Sequence, residues 1–287
     1  MTRTYSPSAL LLMAIAPAAF LLAGCQGSVT LDLNADAPAN PQVSSVPVDI
    51  AGVEFQRADG GTEKLEFTSS LQTDLIDVMD DNALRLFTDE SLSEGSYTGV
   101  RLLVDENEEA EVFRIDGTRF PLLVAEGAYT PVEINVTEDE STRESLALTL
   151  DLRRSLSFDP DNNEYTLTPA LRAVRADEAG QVGGTIATAC PSGTSMQTGG
   201  AVYLFEGEDI EADDIGGAGE DPYATTTVFT DFTQFTYDLR FLPPGDYTLA
   251  LTCNGNIDEP GSDEDIEFIR TANVSVDADT VTYDFDN

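Results

Sequence analysis

The chain has 287 residues, with 53 Asp and Glu against 14 Lys and Arg for a formal net charge of −39, and it contains no His and no Trp. Length alone predicts about two domains, and 41% hydrophobic residues are enough for packed cores despite the charge. Without His there is no Ser-His-Asp or Cys-His nucleophile arrangement and no His-bearing zinc site; with this charge and no basic cluster, nucleic acid is excluded as a partner.

Residues 1–24 open with Arg3 and continue as an uncharged run from Ala9 to Gly24 that Pro17 interrupts. A bilayer-spanning helix needs about 20 apolar residues, so the run reads as an export signal instead. It ends in Leu22-Ala23-Gly24-Cys25, which resembles the lipobox of bacterial lipoproteins. That resemblance implies cleavage before Cys25, a diacylglycerol thioether on its sulfur and a further acyl chain, palmitate, on its new amino group. Several acyl chains, at about 0.8 kcal/mol per buried CH₂, make a stable anchor. Gln26 follows the Cys, where an Asp would resemble the inner-membrane retention signal, so the expected location is the outer membrane, on its periplasmic or surface face.

Residues 25–45 are expected to hold the lipidated Cys, a tether and a first short strand. From Val46 to Val174 short alternating apolar runs separated by turn residues have the period of half-buried strands. They cover 46–55, 64–67, 97–104, 111–115, 119–124, 132–136, 146–152 and 165–174, with hairpin turns at Asp59-Gly60-Gly61 and Asp116-Gly117. Only Leu71 to Leu86 hints at a helical turn. Residues 177–181 read as a linker, and a second series of strands follows over 182–189, 201–205, 225–230, 235–241, 247–253, 267–276 and 280–285. Its two longest loops, 206–223 and 254–265, are Gly-rich and acidic. The expected fold is all-β, with two Greek-key sandwiches of transthyretin or immunoglobulin type over 46–176 and 182–287. One pattern recurs in both halves, Leu92-Ser-Glu-Gly-Ser-Tyr97 and Leu242-Pro-Pro-Gly-Asp-Tyr247, where a Gly turn launches a strand whose Tyr hydroxyl reaches back to the backbone as in a tyrosine corner.

The N-terminal half resembles the bacterial lipoprotein family of domain of unknown function 4382. The resemblance rests on Gly27 to Asp32 with Ala37-Pro38, Val48 to Phe55, Leu92 to Leu103, Leu148 to Ser155 and Tyr165 to Val174. It implies a secreted or lipid-anchored β-rich protein and supplies no mechanism. The C-terminal half resembles the prealbumin-like or carboxypeptidase-regulatory-like sandwich through Gly184-Thr-Ile186, Val202-Tyr-Leu204 and Phe241 to Thr248. Such modules are non-catalytic binding or spacer domains.

With Cys25 assigned to lipid, Cys190 and Cys253 are left to pair in an oxidising compartment. Calcium is the sharpest small-ligand hypothesis, because it takes six to eight oxygens from closely spaced carboxylates and carbonyls. Asp258, Asp263, Asp265 and Glu267 are the candidate ligands, gathered about a Pro-Gly turn; Asp159-Pro-Asp161-Asn-Asn163 offers a second acidic turn. The competing reading is solvated loops on a chain adapted to high salt, since the acid surplus is spread over both halves. Of the adjacent pair Arg153-Arg154, period-2 alternation turns one inward, toward an ion pair with Asp151 or a neighbour. The expected function is a lipid-anchored envelope protein acting as a non-catalytic adhesion or scaffold module, touching the membrane through lipid and an envelope protein or glycan through its own surface, with no cofactor unless calcium. A calcium- or carbohydrate-binding module is the alternative, and a carboxylate-based hydrolase comes third.

Overall fold

The structure, a computed structural model, describes residues 27–79, 82–107, 109–137, 143–230 and 233–286. In the first half the strands are β1 (Gly27–Asp36), β2 (Val43–Ser45), β3 (Pro47–Arg57), β4 (Thr62–Asp74), β5 (Leu84–Leu92), β6 (Gly95–Val104), β7 (Glu111–Arg114), β8 (Arg119–Val124), β9 (Thr130–Val136), β10 (Arg143–Asp151), β11 (Leu156–Asp159), β12 (Glu164–Leu167) and β13 (Leu171–Arg175). A single helical turn, α1 (Leu152–Ser155), joins β10 to β11. The second half has β14 (Gly180–Ile186), a turn α2 (Met196–Gly199), β15 (Ala201–Glu206), β16 (Ala224–Thr227), β17 (Phe229–Thr230), β18 (Phe235–Leu242), β19 (Gly245–Thr252), β20 (Phe268–Val276) and β21 (Thr280–Thr282).

The protein is all-β, as expected. Two four-stranded sheets, β13-β10-β1-β5 and β4-β3-β6-β9, enclose the core of the first half. Alternation does the work: Val29, Leu31, Leu33 and Ala35 of β1 turn inward, as do Val48, Ile50, Val53 and Phe55 of β3. A third sheet, β11-β12-β8-β7-β2, extends the same core with Val112, Leu122, Tyr165 and Leu167. The second half is a sandwich of β17-β18-β14-β21 on β16-β15-β19-β20. Its core includes Val182, Val202, Leu204, Leu239, Leu249 and Leu251.

The differences from the sequence reading have physical causes. Residues 27–36 are not tether: β1 lies inside its sheet, parallel to β10 with Leu31 opposite Leu146 and antiparallel to β5. The helical hint at Leu71 to Leu86 resolves into the end of β4, a turn that buries Leu75 and Val78, and the start of β5. Both β4 and β5 are sheet edges with mostly polar side chains, so beyond 64–67 they carry little hydrophobic alternation to read. The run 165–174 is two strands, divided where Pro169 removes a backbone donor. Both tyrosine corners form, with Tyr97 donating to the Ser93 carbonyl at 2.7 Å and Tyr247 to the Pro243 carbonyl at 2.8 Å.

Gly52 marks a bulge, where the pairing of β3 with both β4 and β6 shifts register. It has φ +154°, and a Cβ there would fall 2.1 Å from the Leu65 carbonyl oxygen. Gly52→Ala is therefore expected to destabilise the first sandwich by about 1–3 kcal/mol, read as a lower urea midpoint at unchanged m.

Candidate functional site

The chemistry-bearing side chains that the fold buries converge where the two halves meet, and α1 begins that junction. Asp151 caps the turn by accepting from Arg154 N at 3.1 Å, and the hydroxyl of Ser155 donates to the Asp151 carbonyl at 2.5 Å. A helical turn, not an extended strand, thus presents Arg153 and Arg154, and both point into the second half. Arg153 is 1% exposed. Its guanidinium donates to the Gly255 carbonyl and, at 3.4 Å, to the Tyr203 hydroxyl, and it lies 5.4 Å from the centre of the Tyr203 ring. Arg154 donates to the Pro222 carbonyl and approaches Asp151 at 3.6 Å and Asp221 at 3.8 Å. The ion pair with Asp151 expected from sequence thus belongs to the less buried arginine, while Arg153 crosses to the other sandwich.

A second buried arginine, Arg172 of β13, meets Asp36 of β1 at 2.5 Å and Asp151 at 3.8 Å, and stands 5.7 Å from the Tyr223 ring centre. Burial pushes the Asp36 carboxyl up to about 6; Arg172 opposes the rise and the Asp151 charge adds to it. These charges come from residues far apart in sequence that only the closed first sandwich places together.

Across the junction lie the two acidic loops. β15 and β19 are antiparallel neighbours, so the loops leave opposite ends of the pair. The 207–223 loop returns across the outer face of β15, where Ile210 and Ala212 pack with Tyr203 and Phe205 in a small satellite core. There it meets the 254–267 loop. Asp258 is fully buried: its carboxylate accepts from the Tyr203 hydroxyl at 2.5 Å and from Ile215 N at 3.2 Å. Asp214, 1% exposed, accepts from Glu264 N at 2.6 Å. One carboxylate oxygen from each of Asp214, Asp258 and Glu264 lies within 4.8 Å of the others. Burial pushes the Asp258 carboxyl up, opposed by the Tyr203 hydrogen bond and Arg153. It pushes Asp214 up as well, opposed by the Glu264 amide and reinforced by the Asp213 charge. A Cβ on Gly217 would fall 2.5 Å from Asp214 Oδ1, so the loop backbone packs closely over this carboxylate.

Of the four candidate ligands read from sequence, the structure brings Asp258 into this cluster and places exposed Asp263 at its margin. Asp265 and Glu267 are exposed and contribute through their backbones, to Asn254 and Thr252. Asp214 and Glu264 were not singled out. Asp214 sits some forty residues from Asp258 in a different loop, so no spacing rule connects them. The second acidic turn is a local turn, with Asp159 accepting from Asp161 N at 2.8 Å and Asn162 N at 3.2 Å. Cys190 and Cys253 form a disulfide, with Cα atoms 5.8 Å apart. Leu22, Ala23, Gly24 and Cys25 lie outside the described residues.

No curated protein matches the chain. Among solved structures it is similar to the Bacillus anthracis TIE protein, at 8% identity and TM-score 0.23 over 91% of this chain and 34% of that one. It is also similar to GBS52, the minor pilin of Streptococcus agalactiae, at 10% identity and TM-score 0.22, over 90% and 94% of the two chains. A third is a fimbrial protein from Bacteroides ovatus, at 10% identity and TM-score 0.20, over 92% and 49%. The chain spans about a third of the first of these, and at such scores the likenesses carry no argument. Residues 26–169, half of the chain, match the family described as Domain of unknown function (DUF4382). The match includes Asp36, Asp151, Arg153 and Arg154 and stops before Tyr203, Asp214 and Asp258. The chain belongs to the DUF4382 family, with a second sandwich docked on its family domain through the buried Arg153 and the half-buried Arg154.

Proposed function

We propose that the protein is a non-catalytic binding module of the bacterial cell envelope, held on the outer membrane by diacylglyceryl and palmitoyl chains on Cys25. The observation that carries this reading is a spacing. Gln26 alone separates Cys25 from β1, whose first residue, Gly27, is buried and paired with Leu92 of β5. Two residues reach at most about 7 Å, so acyl chains on Cys25 would hold the first sandwich against the bilayer rather than on a flexible stalk. A chain with net charge −39 is repelled by anionic headgroups, so attachment has to come from buried hydrocarbon.

The buried charges support a non-catalytic role. Arg153 crosses to the Gly255 carbonyl of the second sandwich, while Arg172 pairs with Asp36 and Asp151 inside the first, so these charges serve packing within and between the two halves. Recognition then falls to sheet edges and end loops. The 13-residue edge strand β4, with a single buried side chain, offers an unpaired backbone to an extended segment of an envelope protein.

Cys25→Ser tests the anchor. The parent is expected to sediment with membranes and to incorporate a labelled fatty acid, and the variant to appear in the soluble fraction without label. Label and sedimentation that persist in Cys25→Ser would sink the reading.

A further inference from the structure

We propose that Asp214, Asp258 and Glu264 bind one calcium ion, which ties the two acidic loops together over the outer face of β15. This goes beyond the anchoring role and stands or falls separately from it. Oxygens that share a Ca²⁺ at 2.3–2.6 Å are at most about 5 Å apart, and one oxygen from each of the three carboxylates already lies within 4.8 Å of the others.

The cluster alone would be an unremarkable acidic patch; the buried Asp214 carboxylate sets it apart. Its Oδ2 accepts from Glu264 N, while Oδ1 is sealed from solvent and has no hydrogen-bond partner among the described residues. The neighbouring Asp213 carboxylate can donate to it only if protonated. An ionised carboxylate oxygen sealed from water without a donor is costly, and a cation is the group that satisfies it. Arg153 supplies one positive charge near Asp258, against three clustered carboxylates.

The donor set selects the metal. Three carboxylates are hard oxygen ligands, and no His or Cys belongs to the cluster to favour zinc or copper. Ligands from two irregular loops suit the flexible coordination of Ca²⁺ better than the strict octahedron of Mg²⁺. The ion would also act on the junction. Glu259, next to Asp258, accepts from Phe158 N of the first half at 3.3 Å, and Gly255 of the same loop accepts from Arg153.

The test uses the full chain purified in detergent and stripped with chelator, with Ca²⁺ alone as the probe and ionic-strength-matched NaCl as the reference. Calorimetric titration is expected to find one tight Ca²⁺ per chain. Millimolar Ca²⁺ is expected to raise the thermal midpoint by about 5 °C beyond NaCl. Asp214→Asn and Glu264→Gln should each remove both effects, and Asp159→Asn should keep them. Glu264 is only half-buried, so its variant reads out binding even if Asp214→Asn folds poorly. Coincident Ca²⁺ and NaCl curves overturn the proposal. So do variants that shift the metal-free midpoint yet retain the Ca²⁺ increment and stoichiometry, because that is the signature of carboxylates with a purely structural role.

Discussion

Arg153→Met is expected to lower the stability of the whole protein by about 1–3 kcal/mol, the range for leaving a buried acceptor without its donor. The side chain is 1% exposed, so its loss is not repaired by water. The Gly255 carbonyl loses its charged donor, and the Tyr203 and Asp258 pair, hydrogen-bonded at 2.5 Å, loses the nearby positive charge that opposes its burial. Met fills part of the volume, which confines the effect largely to hydrogen bonding and charge. Because Arg153 belongs to the first half and its partners to the second, calorimetry of the variant should show the two sandwiches unfolding less cooperatively than in the parent. Asp258→Asn in the Arg153→Met background should recover at least 1 kcal/mol, since it removes the carboxylate left without a counter-charge. Additive losses in that cycle would show that Arg153 acts without coupling to the Asp258 charge, through packing and its hydrogen bond to the Gly255 carbonyl.

Removing the disulfide, as Cys190→Ser with Cys253→Ser, is expected to cost about 4 kcal/mol on the chain-entropy estimate, because the bond closes a loop of 63 residues. The effect should differ in kind from that of Arg153→Met. The crosslink lies wholly within the second sandwich, joining the segment before α2 to the end of β19, so its loss should lower the unfolding of that half. Reductant should reproduce the drop in the parent and do nothing further to the double variant. A parent whose midpoint is indifferent to reductant would show that the bond constrains no long loop in the unfolded chain.

Much of the architecture is written in local pattern. Alternating apolar residues mark β3, β6, β19 and β20, because a strand with one face in the core must repeat every two residues, whereas β15, covered on both faces, is a continuous apolar run. The paired Gly and Tyr signals of the two tyrosine corners were legible for the same reason: the contact spans four residues of chain. The two unpaired cysteines left after Cys25 admitted a single pairing, the one found. Of the edge strands, 64–67 of β4 was legible and β5 was not, because the residues of both are mostly polar and alternate only weakly. The interior place of β1 was hidden by a different cause: its parallel partner β10 is more than a hundred residues away.

The candidate site divides along the same line. Composition by itself limited the chemistry: without His there is no imidazole catalysis, and without a basic cluster nothing points to nucleic acid. It also pointed to acidic, Gly-rich loops as the place to look for clustered carboxylates. Only the tertiary structure decided which of 53 acids meet. Asp214 reaches Asp258 because its loop must recross the sheet to cover Tyr203 and Phe205, and Arg153 points across the junction because Asp151 caps a helical turn where strand alternation was expected. Both outcomes depend on apolar surface that one sandwich leaves uncovered and another segment buries. That is a property of the folded whole, set by hydrophobic burial between distant segments, and no local spacing in the chain records it.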